Sequence, residues 1–295
     1  MKNTIFKGAG VALVTPMNDD FTINFDKLEE LVEFQIAGKT DAIIVCGTTG
    51  EAPTLSRAEH LEAVKRVIEV TNGRVPVIAG SGSNDTAFAV ETSKKAKELG
   101  ADALLCVTPY YNKTSQAGLI AHYTKLANEV KAPIILYNVP SRTGTAFQSK
   151  TYQALADNPY IVGIKESNAK LGMMAETISL CGDKLDIYSG NDDEVVPCLS
   201  LGGSGVISVL SNVAPTAVHD MCMSYFSGDV QTARDIQIKY ISLINALFSD
   251  VNPIPVKEAL NIMGYNVGEC RLPLVRMSES ARENLKNQLS AVNLI

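Results

Sequence analysis

The chain has 295 residues, enough for one large domain or two ordinary ones. Hydrophobic residues make up 46% and charged residues 20%, so a sizeable core forms without disulfides or a structural metal, and disorder is excluded. The balance of 26 Lys+Arg against 32 Asp+Glu gives a net charge of −6 with no basic run, which argues against a nucleic-acid partner.

The first 16 residues hold a glycine-broken apolar stretch too short for a secretory leader. None of the six cysteines forms a CxxC pair, and a reducing cytoplasm is the expected location. Short apolar runs then recur at 10–15, 41–46, 75–80, 103–108, 133–138, 161–166, 185–190 and 205–210. They are rich in Val and Ile and alternate little, as parallel strands buried on both faces do. Helical patterns separate them at 26–38, 56–70, 85–99, 115–130, 148–156, 169–181, 192–201 and 215–226. The second helix opens on the capping box Ser56-x-x-Glu59. Eight β–α pairs predict a TIM (β/α)8 barrel over residues 1–228, in preference to a doubly wound open sheet. Residues 195–218 carry no charge, but Pro197, Gly202, Gly203, Gly205, Asn212 and Pro215 break the run, so no membrane span is expected. Past Gly228 the strands stop. Helices are predicted at 229–249, 255–263 and 278–292, making residues 229–295 a C-terminal helical domain.

In such a barrel the chemistry stands at the C-terminal ends of the strands. The second strand ends in Gly47-Thr48-Thr49-Gly50-Glu51, whose two hydroxyls and loose amides suit a carboxylate or phosphate; a plain turn is the other reading. The fourth ends in Tyr110-Tyr111, which point opposite ways, one structural or interfacial and one able to reach the mouth. In the fifth, period two places Tyr137 with Ile135, and Arg142 follows in a loop where its fork suits a carboxylate. The sixth, Ile161-Val162-Gly163-Ile164-Lys165-Glu166, is the sharpest signal. Lys165 shares a face with Ile161 and Gly163 by alternation, and lysine is rarely buried without a partner. Burial disfavours an ammonium, and only a neutral amine attacks a carbonyl. The alternatives are a lysine that snorkels outward or pairs with Glu166. His60, His122 and His219 lack ligand spacing, no GxGxxG follows a strand, and no P-loop occurs, so neither metal nor cofactor is called for.

Together, Gly47-Thr48-Thr49-Gly50-Glu51, Tyr137-Asn138-Val139-Pro140-x-Arg142-Thr143-Gly144 and Gly163-Ile164-Lys165-Glu166 closely resemble the dihydrodipicolinate synthases of the N-acetylneuraminate lyase superfamily of class I aldolases. The likeness runs over essentially the whole chain. It implies a lyase that condenses pyruvate with L-aspartate 4-semialdehyde, the first committed step toward diaminopimelate and lysine, in a homotetramer of tight dimers. It further implies Lys165 as the Schiff-base amine and Tyr137 as the proton donor and acceptor beside it. Thr48 would link Tyr137 to a Tyr111 contributed across the tight dimer. Thr49 would hold the pyruvate carboxylate, Arg142 would receive that of the semialdehyde, and Gly190 and Ile207 would line the site through their backbones. One departure concerns regulation. Family members inhibited by lysine often carry a Glu where this chain has Phe88, and often a His where it has Arg57, while His60, Asn84 and Tyr110 match. An aromatic ring cannot replace a carboxylate facing an ammonium, so weak or no inhibition by lysine is expected. Two other readings stand beside this one. Another pyruvate-dependent aldolase, for a 2-keto-3-deoxy-sugar acid or N-acetylneuraminate, shares the mechanism, although Arg142 and the Thr48-Thr49 pair disfavour the latter. A non-catalytic sensor or regulator on a barrel scaffold conflicts with the intact reactive positions.

Overall fold

The computed structural model describes residues 2–295. Its strands are β1 (Gly8–Ala12), β2 (Ala42–Val45), β3 (Val77–Gly80), β4 (Ala103–Val107), β5 (Ile134–Asn138), β6 (Ile161–Glu166), β7 (Asp186–Ser189) and β8 (Gly205–Ser208). All pair in parallel in chain order, and the sheet closes with Gly8 of β1 opposite Gly205 of β8. The helices between them are α1 (Phe25–Ala37), α2 (Arg57–Thr71), α3 (Thr86–Glu98), α4 (Gln116–Val130), α5 (Pro140–Thr143), α6 (Ser149–Leu155), α7 (Leu171–Cys181), α8 (Val195–Ser200) and α9 (Pro215–Phe226). The TIM barrel expected from the eight apolar runs is the fold observed.

Closure explains why those runs alternate so little. Every strand has two buried faces: Ile44, Ile78, Leu105, Ile135, Tyr137, Tyr188 and Ile207 fill the lumen. Their neighbours Ile43, Val45, Ala79, Leu104, Cys106 and Leu136 pack outward against the helices. Local signals set the helix starts. Ser56 and Glu59 form the capping box in both directions, and Asp85 and Ser115 cap α3 and α4 with their side chains.

Three local expectations change. β1 sits earlier than the run 10–15, because the Val14 amide leaves the ladder and bonds Asn212 Oδ1 at 3.1 Å. The loop expected around Arg142 contains a one-turn helix, α5, with Pro140 at its start and Gly144 (φ +64°) at its stop. Ile161 does not share the face of Lys165. Ile134 pairs with Ile161 but Ile135 pairs with Gly163, so the register skips Val162. This irregularity turns Val162 into the lumen and Ile161 into the outer shell, and strict alternation resumes from Gly163.

After the barrel come α10 (Val230–Leu247), α11 (Ile254–Ile262) and α12 (Glu279–Ala291). α10 packs on α9, and α12 packs on α10 and α11. Among the described residues no helix is long and apolar enough to cross a membrane. The uncharged run 195–218 is divided among α8, β8 and the start of α9.

Candidate active site

Strand alternation decides which way two adjacent residues of β6 point. Lys165 faces the lumen at 5% exposure, with its Nζ 4.5 Å from the Tyr137 ring centroid. Among the described residues that Nζ has no hydrogen-bond or ion-pair partner, so the alternatives of snorkelling and of pairing with Glu166 both fail. Glu166 faces the shell instead. There its carboxylate accepts from Asn138 Nδ2 (2.8 and 3.1 Å), Tyr152 Oη (3.0 Å) and the Asn168 amide (3.1 Å). Burial pushes the Glu166 carboxyl up to about 7, against the pull of those hydrogen bonds. The same burial holds the Tyr152 hydroxyl well above its ordinary value.

Gly190, at the end of β7, closes against Lys165. A Cβ there would stand 3.0 Å from Lys165 Cε and 1.8 Å from Ser167 Oγ, so a side chain would have to displace the Ser167 hydroxyl and crowd the lysine. Ile207 of β8 lies in the lumen cluster with Tyr137 and Tyr188. Behind the lysine, Asp192 is fully buried and accepts from Ser208 Oγ (2.5 Å) and the Val209 and Leu210 amides (2.9 Å each). Desolvation raises its carboxyl, opposed by these donors and by the positive charge of Lys165.

Above the lumen opens a cavity of about 400 Å³ lined by Thr48, Tyr137, Arg142, His60, Phe88 and Tyr110 among others. Arg142 is carried there by α5, whose Thr143 is locked to the end of β4 by a hydrogen bond from Thr108 Oγ1 (3.0 Å). Thr49 is buried beside Thr48, and its Oγ1 accepts from Asn252 Nδ2 at 3.0 Å. The two tyrosines lie in the loop past β4, beyond the reach of strand alternation, and part there: Tyr110 lines the cavity, while Tyr111 is 91% exposed on a left-handed backbone (φ +68°). Among the described residues no hydrogen bond joins Thr48, Tyr137 and Tyr111 within the single chain. Tyr137, Thr48 and Arg142 thus line one cavity, Lys165 lies against Tyr137 with Gly190 beside it, Ile207 shares the lumen cluster of Tyr137, Thr49 stands next to Thr48, and Tyr111 is exposed.

Sequence reasoning missed the residues of the helical tail that hold this end in place. Glu51, in the turn after β2, is buried and has a left-handed backbone (φ +56°). Its carboxylate receives Lys257 Nζ of α11 and the Arg271 amide, each at 2.8 Å. Arg271 also reaches the Thr54 and Phe21 carbonyls and pairs with Glu59. Lys257 left a trace in the sequence, since it shares a helix face with Ile254 and Leu260. Asn252, between α10 and α11, left none. Its carbonyl accepts from Arg142 Nη2 at 3.1 Å, and its side chain donates to Thr49.

Comparison with known proteins agrees with this geometry. The model of the dihydrodipicolinate synthetase family matches residues 5–292. The 4-hydroxy-tetrahydrodipicolinate synthase of Caldicellulosiruptor saccharolyticus is 55% identical over 285 residues, 97% of this chain and 96% of that protein. That of Acetivibrio thermocellus is 52% identical over 295 residues, all of both chains. Among solved structures, the pyruvate complex of the chloride-inhibited dihydrodipicolinate synthase from Acinetobacter baumannii superposes with a TM-score of 0.97 at 45% identity, covering 99% of this chain and 100% of that one. Sequence, fold and the placement of the motif residues converge, and the chain belongs to the dihydrodipicolinate synthetase family.

Proposed function

We propose that this chain is a lyase that condenses pyruvate with L-aspartate 4-semialdehyde through a Schiff base on Lys165. One observation carries the reading: a lysine amine buried in a barrel lumen, without an acid partner among the described residues, over the ring of a tyrosine. The Lys165 amine adds to the ketone of pyruvate, and loss of one water gives an imine. The imine draws electrons from the methyl carbon, which loses a proton and becomes an enamine. The enamine carbon attacks the aldehyde. The amino group of the semialdehyde then displaces Lys165 from the imine carbon, closing the ring and freeing the amine. Each step moves a proton, and Tyr137 is the group at hand, with Thr48 next along the cavity wall. Thr49 holds the pyruvate carboxylate, Arg142 receives that of the semialdehyde at the mouth, and Gly190 and Ile207 shape the floor.

The proton path ends on Tyr111, which enters the site of a second copy. Its near-complete exposure and its strained backbone, uncommon for an aromatic residue, support that placement in a homotetramer of tight dimers. Residues 1–228 act as the catalytic barrel and 229–295 as a helical domain, in a cytoplasmic enzyme. Lysine inhibits weakly or not at all. Phe88 is half exposed at the cavity rim, 5.4 Å from the Arg57 guanidinium, which also pairs with Glu91. Phe88 therefore gives an ammonium no carboxylate, and the Glu91 carboxylate beside it is engaged by Arg57. The test is condensation of pyruvate with L-aspartate semialdehyde by wild type and Lys165→Ala. Turnover by wild type alone is expected. An inactive wild type that borohydride still links to pyruvate moves the assignment to a sugar-acid aldolase.

A further inference from the structure

To hold a carboxylate, the Thr49 hydroxyl must face it as a donor. The group that commits it to that role lies in the helical tail. Asn252 is 7% exposed, and its Nδ2 donates to Thr49 Oγ1 at 3.0 Å. An amide nitrogen has hydrogens to give and no lone pair to accept. Thr49 Oγ1 is therefore the acceptor in that bond, and its single proton remains to be given elsewhere. Among the described residues it has no acceptor, although Thr49 is 3% exposed. Asn252 Oδ1 is likewise buried with no partner. A side chain kept only for packing would not leave two polar groups unpaired, because an apolar chain of that shape fills the space without the desolvation cost. The backbone carbonyl of the same residue accepts from Arg142 Nη2 at 3.1 Å.

We propose that Asn252 is a positioning residue, whose amide makes the Thr49 hydroxyl a committed donor to the keto-acid carboxylate while its carbonyl seats Arg142. The inference rests on the pyruvate reading given above. It predicts a split between the two substrates. Side-chain changes at Asn252 disturb the keto-acid end, whereas the backbone contact to Arg142 survives them.

The experiment measures the pyruvate concentration that half-saturates borohydride trapping on Lys165, which needs no second substrate. It is paired with KM for both substrates in the condensation assay. Asn252→Ala is expected to raise half-saturating pyruvate about fivefold to tenfold and to leave KM for the semialdehyde within twofold. Thr49→Val is expected to weaken pyruvate similarly, and the double variant to add nothing further. Should the alanine variant not fold, the isosteric Asn252→Asp decides. Its carboxylate takes the Thr49 proton for itself, so pyruvate weakens in the wild-type background by more than it does in Thr49→Val, where simple charge repulsion would act equally. Pyruvate half-saturation within twofold of wild type in either variant overturns the inference and leaves the proposed function standing. Equal losses for both substrates accompanied by a lowered melting temperature overturn it in favour of a scaffold role. A wild type that traps no pyruvate removes the proposed function and the inference with it.

Discussion

Lys165 and Glu166 are neighbours on one strand and stand in opposite worlds. The lumen gives Lys165 an aromatic face and, among the described residues, no hydrogen-bond partner, whereas the shell gives Glu166 donors from Asn138, Tyr152 and the backbone. The difference separates a charge kept for structure from a group kept reactive. A buried ionisable side chain that serves the fold is saturated with hydrogen bonds, because an unsatisfied one destabilises it. One left without partners in a lumen lowers stability and persists when something else selects for it.

The contrast is breakable, and the largest effect lies in activity. Lys165→Met should lower turnover on the order of a thousandfold or more, yet leave the melting temperature equal or higher, since it removes an unpaired amine and adds apolar volume. A cold-sensitive or unfolded Lys165→Met would place the lysine on the structural side. Next is the strut beneath the mouth. Lys257→Met strands the Glu51 carboxylate, with only the Arg271 amide left to it, and should cost about 3–5 kcal/mol in denaturant unfolding. Replacing both partners by apolar residues should recover most of that loss.

Glu166 sharpens the comparison through pH. Its folded carboxyl titrates near 7, above an ordinary value of 4.5. Between those values the folded chain holds more protons than the unfolded one, so stability falls as pH rises from about 4.5 through 7. Glu166→Gln should flatten that slope, which amounts to roughly 1–3 kcal/mol across the window. A wild-type profile that rises there contradicts the assignment. The smallest expected effect is at the rim. Millimolar lysine should change the rate less than about twofold, and Phe88→Glu should increase sensitivity by giving an ammonium a carboxylate. Strong inhibition of wild type by sub-millimolar lysine would sink that reading.

Much of this was legible in the residues. Weak alternation says only that the strands are buried on both faces, as in a barrel or a doubly wound sheet, and the count of eight β–α pairs predicts the barrel. Period two groups Lys165 with Gly163 and Tyr137 with Ile135, but which of the two faces is the lumen is set by the sheet. The failures have a common origin. Ile161 was assigned to the wrong face because a skipped residue in one ladder is a property of two strands and is invisible in either alone. The turn of helix carrying Arg142 reads as loop because four residues carry no periodicity, and its anchor, Thr108 on Thr143, lies across two strand ends. Asn252 and Arg271 looked like ordinary loop residues.

The sequence by itself determined what is local and repetitive: the element order, the two faces of each strand, the helix caps and the residue types at the strand ends. These follow from period, propensity and hydrogen bonding within a few residues. The tertiary structure decided everything that depends on which strands pair, in what register, and on the return of the tail. Only the pairing of β6 with its two neighbours puts Lys165 beside Tyr137 and Gly190 against the lysine. Only the tail brings Lys257 to Glu51 and Asn252 to Thr49, because these bonds join segments some two hundred residues apart, and no local signal records a partner at that distance.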